Sequence, residues 1–109
     1  MATPGLLLPL VPPGLRLLPW SSPEGKPCFL SSDGQGVLAG LADDVEDAQM
    51  SSGMDVLTGA RTVLRDARAG EHAVRFALTR TTEALRDALR VAHSRGERLA
   101  PHRRRREPR

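Results

Sequence analysis

The chain has 109 residues, enough for one domain at most, and its formal charge of +3 conceals an acidic middle and a basic end. With three aromatic residues in all, a core has to be built from Leu, Val and Ala, which suits helices packed on helices. The single cysteine, Cys28, excludes an internal disulfide and a Cys/His zinc set and indicates a reducing compartment, so we expect a cytoplasmic protein.

Residues 1–19 are rich in Pro, Leu and Gly and show no periodicity, so we expect this segment to be disordered. Five prolines interrupt any helix, and no basic residue precedes Arg16. The segment is therefore a poor signal peptide and too short in its apolar runs to span a membrane.

Residues 20–100 form the predicted domain, and it opens with a tight turn. Ser22-Pro23-Glu24-Gly25 has Pro at the second position and Gly at the fourth, which favours a type I turn. A short extended segment is predicted over residues 28–30, after Pro27. Trp20 and Phe29 would then flank the turn and cap one end of a helical core.

A long first helix is predicted over residues 37–69. Leu41, Val45, Val56 and Val63 fall on one stripe at helical spacing and are assigned to its packing face. Residues 51–53, Ser-Ser-Gly, are its weak point, because Gly and Ser are poor helix formers. The stripe keeps its phase there, which favours one continuous helix over the alternative of two.

A second helix is predicted over residues 71–95, with Leu78, Leu85 and Leu89 on its packing face. Gly70 suits the left-handed residue that ends a helix, so the connection is short and the two helices lie antiparallel. The predicted fold class is therefore all-α, an antiparallel αα-hairpin.

The charges along the chain favour the same arrangement. Residues 33–55 carry six acids and no base, and antiparallel packing places Asp43, Asp44, Glu46 and Asp47 beside Arg86, Arg90 and Arg95. We expect these acids to form a solvated helix face, whose exposed pairs set orientation more than stability.

Pro101 is expected to end the second helix, which leaves residues 101–109 as a disordered basic tail. Four arginines there are possible phosphate contacts: Arg103, Arg104, Arg105 and Arg106. They offer weak, nonspecific attraction to nucleic acid, because adjacent arginines alone carry no base readout.

No catalytic residue, cofactor site, metal site or small-molecule substrate is assigned from the sequence. No Ser/His/Asp or Cys/His set can be assembled, and no phosphate-binding loop is visible. His72 and His93 would lie about 31 Å apart along one helix, which excludes a metal site shared by that pair.

Three stretches carry a family resemblance: residues 18–30, the acidic residues 41–48, and residues 82–96. Together they resemble small uncharacterised helical proteins of actinobacteria, and the Ala/Arg-rich, Lys-poor composition is similar to that of high-GC genomes. The resemblance covers residues 18–100 and implies a cytosolic protein, with no catalytic residue to carry over.

The predicted function is that of a non-enzymatic helical protein–protein interaction module with packing of the coiled-coil kind. It would act as a homodimer or as the partner of a regulatory protein, because a lone Ala-rich hairpin buries little apolar area against the entropy of ordering its residues. The alternative is an accessory nucleic-acid-binding protein that uses the basic tail.

Overall fold

A computed structural model describes residues 8–31 and 36–106, and the side chains among them up to residue 99. The chain forms two strands followed by two helices: β1 (Leu15–Ser21), β2 (Pro27–Ser31), α1 (Val37–Arg65) and α2 (Glu71–Arg106). The helices pack against each other, and the strands form an antiparallel pair. The described fold is thus mostly helical but not all-α, and the predicted class is wrong in omitting a sheet.

The turn predicted at Ser22–Gly25 joins the two strands. The Gly25 amide donates to the Ser22 carbonyl at 2.8 Å, and the Ser22 amide donates to the Lys26 carbonyl at 2.8 Å. Gly25 has a φ of 83°, the left-handed conformation that closes such a turn and that glycine adopts at little cost. The local sequence therefore encodes a β-hairpin.

Strand β1 corrects the prediction that residues 1–19 are disordered. Residues 1–7 lie outside the described part of the chain, but Leu15–Ser21 is a strand in which Leu17 and Leu18 are both buried. Neighbouring strand residues normally point to opposite faces. The register shifts between Leu17 and Ser21, and such a bulge re-aims side chains and accommodates Pro19.

Helix α1 is continuous through residues 51–53, as predicted, and ends at Arg65 instead of residue 69. Asp66 makes the reversal. Its backbone amide donates to the Val63 carbonyl at 3.1 Å, and its Oδ1 accepts from the Arg68 amide at 2.9 Å. Gly70 is absent from the described glycines with positive φ, so the predicted left-handed role at Gly70 is wrong.

Helix α2 runs to Arg106 and passes through Pro101, so the predicted end near residue 95 is wrong. A proline inside a helix lacks the amide that would bond the carbonyl four residues back, here that of Glu97. The remaining helical bonds on both sides outweigh that one loss. The predicted disordered tail therefore begins no earlier than residue 107, outside the described residues.

The contact between the two helices is made by small side chains. On α1 the buried or half-buried positions along the contact are Ala42, Val45, Gly53, Val56, Ala60 and Val63. On α2 they are Ala77, Thr81, Ala84, Ala88 and Val91. Among described side chains the fully buried aliphatic ones are few, namely Leu17, Leu18, Ala42 and Val91.

Leu17→Ala tests whether β1 is part of the core. Leu17 is 1% exposed, so we expect its truncation to lower the free energy of unfolding by about 2–5 kcal/mol. Leu10→Ala is the matched control, because Leu10 is 92% exposed and surface changes stay within about 0.5 kcal/mol. Urea denaturation measures both, and equal midpoints would contradict a docked strand.

Gly53→Ala tests the continuity of α1. Gly53 is helical, its φ is not positive, and an added Cβ meets nothing within 4 Å. We expect the variant to be more stable by up to about 1 kcal/mol, the helix-propensity difference between Gly and Ala. Thermal melts followed by circular dichroism measure the change, and a lower midpoint would indicate a break in the helix.

Candidate functional site

One carboxylate is buried among arginines where β1, α1 and α2 meet. Glu46, on α1, is 1% exposed although it lies in the acidic stretch that was predicted to be solvated. Its oxygens face Arg16 of β1 and both Arg95 and Arg98 of α2. We call Glu46, these three arginines and Ser94 the glutamate cluster.

The α2 arginines hold Glu46 by direct hydrogen bonds. Arg95 Nε donates to Glu46 Oε1 at 3.1 Å, and Arg98 Nη2 donates to the same oxygen at 3.3 Å. Arg98 Nη1 also donates to Ser94 Oγ at 2.6 Å, and Ser94 Oγ donates to the Leu17 carbonyl at 2.8 Å. The cluster therefore continues from α1 through α2 to the backbone of β1.

Arg16 closes the cluster from the β1 side. Its Nη2 lies 3.4 Å from Glu46 Oε2 and donates to Asp43 Oδ1 at 2.7 Å. An arginine in a strand carries little sequence signal for burial, and the sequence prediction missed it. Arg95 also reaches Asp47 at 3.3 Å, so the three arginines face three carboxylates and the local charges balance.

Two further hydrogen bonds attach the N-terminal segment to the helices. Gln49 Nε2 donates to the Pro19 carbonyl at 2.8 Å, and His93 Nε2 donates to the Pro9 carbonyl at 2.8 Å. His93 is half-buried against the segment before β1. These polar contacts fix where the β-hairpin sits, because each buried donor needs its acceptor.

The cluster confirms the predicted pairing of the acidic part of α1 with the end of α2, with a change of residues. Arg95 is a partner as expected, and Arg98 takes the place expected for Arg86 and Arg90. Desolvating a carboxylate costs several kcal/mol, so such a cluster selects one geometry more than it adds net stability.

The second feature is a row of large apolar side chains that the hairpin leaves uncovered. We call it the apolar face; its members are Met50, Met54, Leu57 and Leu64 of α1 with Val74, Leu78, Leu85 and Leu89 of α2. Each is more than two fifths exposed. Contiguous exposed apolar patches on a monomer mark binding surfaces.

These side chains lie on one side of the hairpin. Each helical residue is rotated about 100° from the one before it. Met54 follows the contact residue Gly53, and Leu78 and Leu85 follow the contact residues Ala77 and Ala84. Because the helices run antiparallel, the same rotation on each carries these side chains to the same side.

Away from the apolar face, the two ends of the helix pair carry different features. The β-hairpin docks at one end, where Ser94 binds the Leu17 carbonyl. Toward the interhelix connection lies an open groove of about 420 Å³ lined by residues that include Val56, Gly59, Val63 and Phe76. Ser94 follows Leu85 by nine residues, a rotation of about 180° at 100° per residue, so on α2 the β-hairpin docks on the side away from Leu85.

The residues of the predicted packing face fall into two groups in the structure. Val45, Val56 and Val63 are half-buried along the contact between the helices. Leu41, Leu78, Leu85 and Leu89 are about half exposed or more and do not pack within the hairpin, which corrects their assignment. Where a leucine and an alanine occupy adjacent positions, the alanine faces the other helix, because its small side chain allows the backbones to approach.

The remaining assignments concern charged, metal-binding and membrane features. Arg103 to Arg106 lie in α2, but their side chains fall outside the described ones. Among the described residues there is no group of three or more His, Cys, Asp or Glu side chains that could hold a metal ion. In the same ranges, 8–31 and 36–106, no helix is long and apolar enough to cross a membrane. Cys28 is a half-buried free thiol.

Comparisons with protein-family models, with curated proteins and with solved structures gave no match to this chain.

Glu46→Gln tests the glutamate cluster. Loss of the carboxylate leaves three arginines without their central partner, and we expect the free energy of unfolding to fall by about 3 kcal/mol. That is the lower end of the range for breaking a buried ion pair, because Arg95 is half exposed.

Asp47→Asn is the matched control for that variant. Asp47 binds the same Arg95, but its side chain is 76% exposed, so its neutralisation should change stability by less than about 1 kcal/mol. Guanidinium or urea denaturation compares the two. Equal effects would show that the cluster does not orient the three elements.

Proposed function

We propose that this protein is a helical protein–protein interaction module that binds a helical partner through the apolar face. The observation that carries the proposal is the apolar face itself, eight large side chains on one side of the helical hairpin that the described chain leaves 43% to 84% exposed. A helical hairpin whose own contact uses mostly alanine and valine gains further apolar burial by association.

The spacing of these residues supports a helical partner. On α2, Leu78, Leu85, Ala92 and Leu99 recur every seven residues, and each is exposed. On α1, Met50, Met54 and Leu57 alternate by four and three residues. Heptad spacing keeps a seam facing a second helix, which is how helices interdigitate in coiled coils and bundles.

The chemistry of the buried cluster supports a structural role in place of a catalytic one. Glu46 is shielded from solvent, and its two oxygens are engaged by arginines of β1 and α2. A general acid or base has to reach a proton on a substrate. The Glu46 carboxylate instead holds the β-hairpin away from the apolar face and leaves that face accessible.

The alternative function, nucleic-acid binding by Arg103 to Arg106, stays a prediction from the sequence. It requires salt-dependent, sequence-indifferent binding that is lost when residues 101–109 are removed. The apolar face offers nothing to such binding, since it contributes neither charge nor aromatic stacking surfaces.

Leu85→Lys tests the proposed function. Leu85 is 56% exposed, so a lysine there should fold with unchanged helix content while placing a charge in the centre of the apolar face. We expect the variant to lose association with itself and with any protein that the wild type captures from its native cells. Light scattering and affinity capture measure the two.

Arg86→Ala is the control, because Arg86 is the next residue on α2, is exposed, and is not a member of the apolar face. It should associate like the wild type. If Leu85→Lys and the wild type form the same complexes, or if the wild type associates with nothing, the apolar face is not a binding surface.

A further inference from the structure

We infer that the apolar face binds a second copy of the same chain, with the two α1 helices antiparallel and crossing near Met54. This inference rests on the proposed function and names its partner. The order of charges along the exposed seam of α1 and the pairing of those charges support this arrangement.

The exposed seam of α1 changes from acidic to apolar to basic along its length. Its positions alternate by four and three residues: Asp43, Asp47, Met50, Met54, Leu57, Arg61 and Leu64. All seven are exposed. Arg65, one residue beyond the seam, is exposed as well and extends its basic end.

Such a seam is complementary to itself when it is reversed. A two-fold axis at Met54 places Arg61 opposite the partner's Asp47, because each lies seven residues from the axis. It places Arg65 opposite the partner's Asp43, because each lies eleven residues from the axis. An interface between two copies uses each such pair twice, since residue and partner exchange roles across the axis.

The charges needed for these pairs are available. Among the described residues, Arg61 and Arg65 make no ion pair or side-chain hydrogen bond. Asp43 and Asp47 each bind one arginine of their own chain, but their side chains remain 63% and 76% exposed. A carboxylate accepts several hydrogen bonds, so both can receive a second arginine.

Helix α2 also contributes to the proposed dimer interface. The Arg95–Glu46 bond aligns residue 46 of α1 with residue 95 of α2. Eight residues further along each antiparallel helix, residue 54 aligns with residue 87, so Leu85 and Leu89 lie on either side of the axis. The two α2 helices then bring these leucines together, and the assembly is a four-helix arrangement with both β-hairpins outside.

The size of the surface fits a specific dimer. Residues 43–64 rise about 32 Å at 1.5 Å per residue, and two helices side by side are about 20 Å wide. The face therefore offers about 600 Å² per copy, or about 1,200 Å² in total, which reaches the lower end of specific interfaces.

The other two-fold arrangement places α1 of one copy on α2 of the other. In that arrangement Arg61 lies beside the partner's Arg80, because each is fifteen residues from the Glu46–Arg95 pair, and the acids lie beside arginines that Glu46 already occupies. Like charges across an interface oppose association. The antiparallel α1 pair is therefore favoured.

The first experiment measures the dimer dissociation constant of the full chain by sedimentation equilibrium. We expect Arg61→Glu to raise it about tenfold or more, because the new carboxylate faces the partner's Asp47. Arg86→Glu makes the same change of net charge at an exposed position of α2 outside the apolar face and should leave it unchanged. Circular dichroism confirms that both variants are folded.

The second experiment locates the axis by disulfide cross-linking in a Cys28→Ser background. With oxidised glutathione, Met54→Cys should give a covalent dimer, because the two cysteines meet at the axis. Leu64→Cys should not, because its two copies lie about 30 Å apart by the helical rise.

A wild-type chain that is monomeric at all concentrations overturns the inference, and so does an equal response to Arg61→Glu and Arg86→Glu. Cross-linking through residue 64 in place of residue 54 overturns the antiparallel arrangement. If the chain is monomeric while capture from its native cells still depends on Leu85, the proposed function stands and its partner is another protein.

Discussion

The relative placement of strand and helices depends on one carboxylate. Glu46 is 1% exposed and touches arginines from β1 and α2, while Ser94 links one of them, Arg98, to the β1 backbone. The apolar core by itself is too sparse to fix an orientation, since alanine and valine dominate the contact between the helices. Directional, charge-assisted bonds select one orientation where nondirectional burial would allow several.

Because the charged cluster fixes the orientation of the elements, the helix contact does not need large apolar side chains, and these can lie at the surface. Leu17, Leu18 and Val91 supply much of the buried apolar volume near the cluster, and the hairpin contact needs only small residues. The leucines and methionines are then free to form the apolar face. A small chain that buries few large side chains is marginally stable alone, and association is a common remedy.

Most of the helical architecture was predictable because it depends on periodicity. The phase of the apolar stripe through residues 51–53 indicated one continuous α1, and the short polar connection indicated antiparallel packing. The turn at Ser22–Gly25 was equally predictable because it depends on four neighbouring residues, and the hydrogen bonds confirm it. These features need only residues that are close in sequence.

The sheet and the packing face were not predictable in the same way. The high proline content of residues 1–19 led to a prediction of disorder there, although a two-stranded sheet with a bulge tolerates Pro19. On α2, leucine and alanine alternate at adjacent positions, as at Ala84 and Leu85, and hydrophobicity alone selects the larger one. Which side faces inward depends on how closely the backbones approach, and that is a property of the folded pair.

The bond between Ser94 and the Leu17 carbonyl spans 77 residues, and this separation has a consequence for synthesis on the ribosome. The leucines of β1 emerge well before the part of α2 that covers them. Long-range closure of this kind is slow compared with local helix formation. The buried leucines of β1 are thus exposed to water until α2 has been made far enough to cover them.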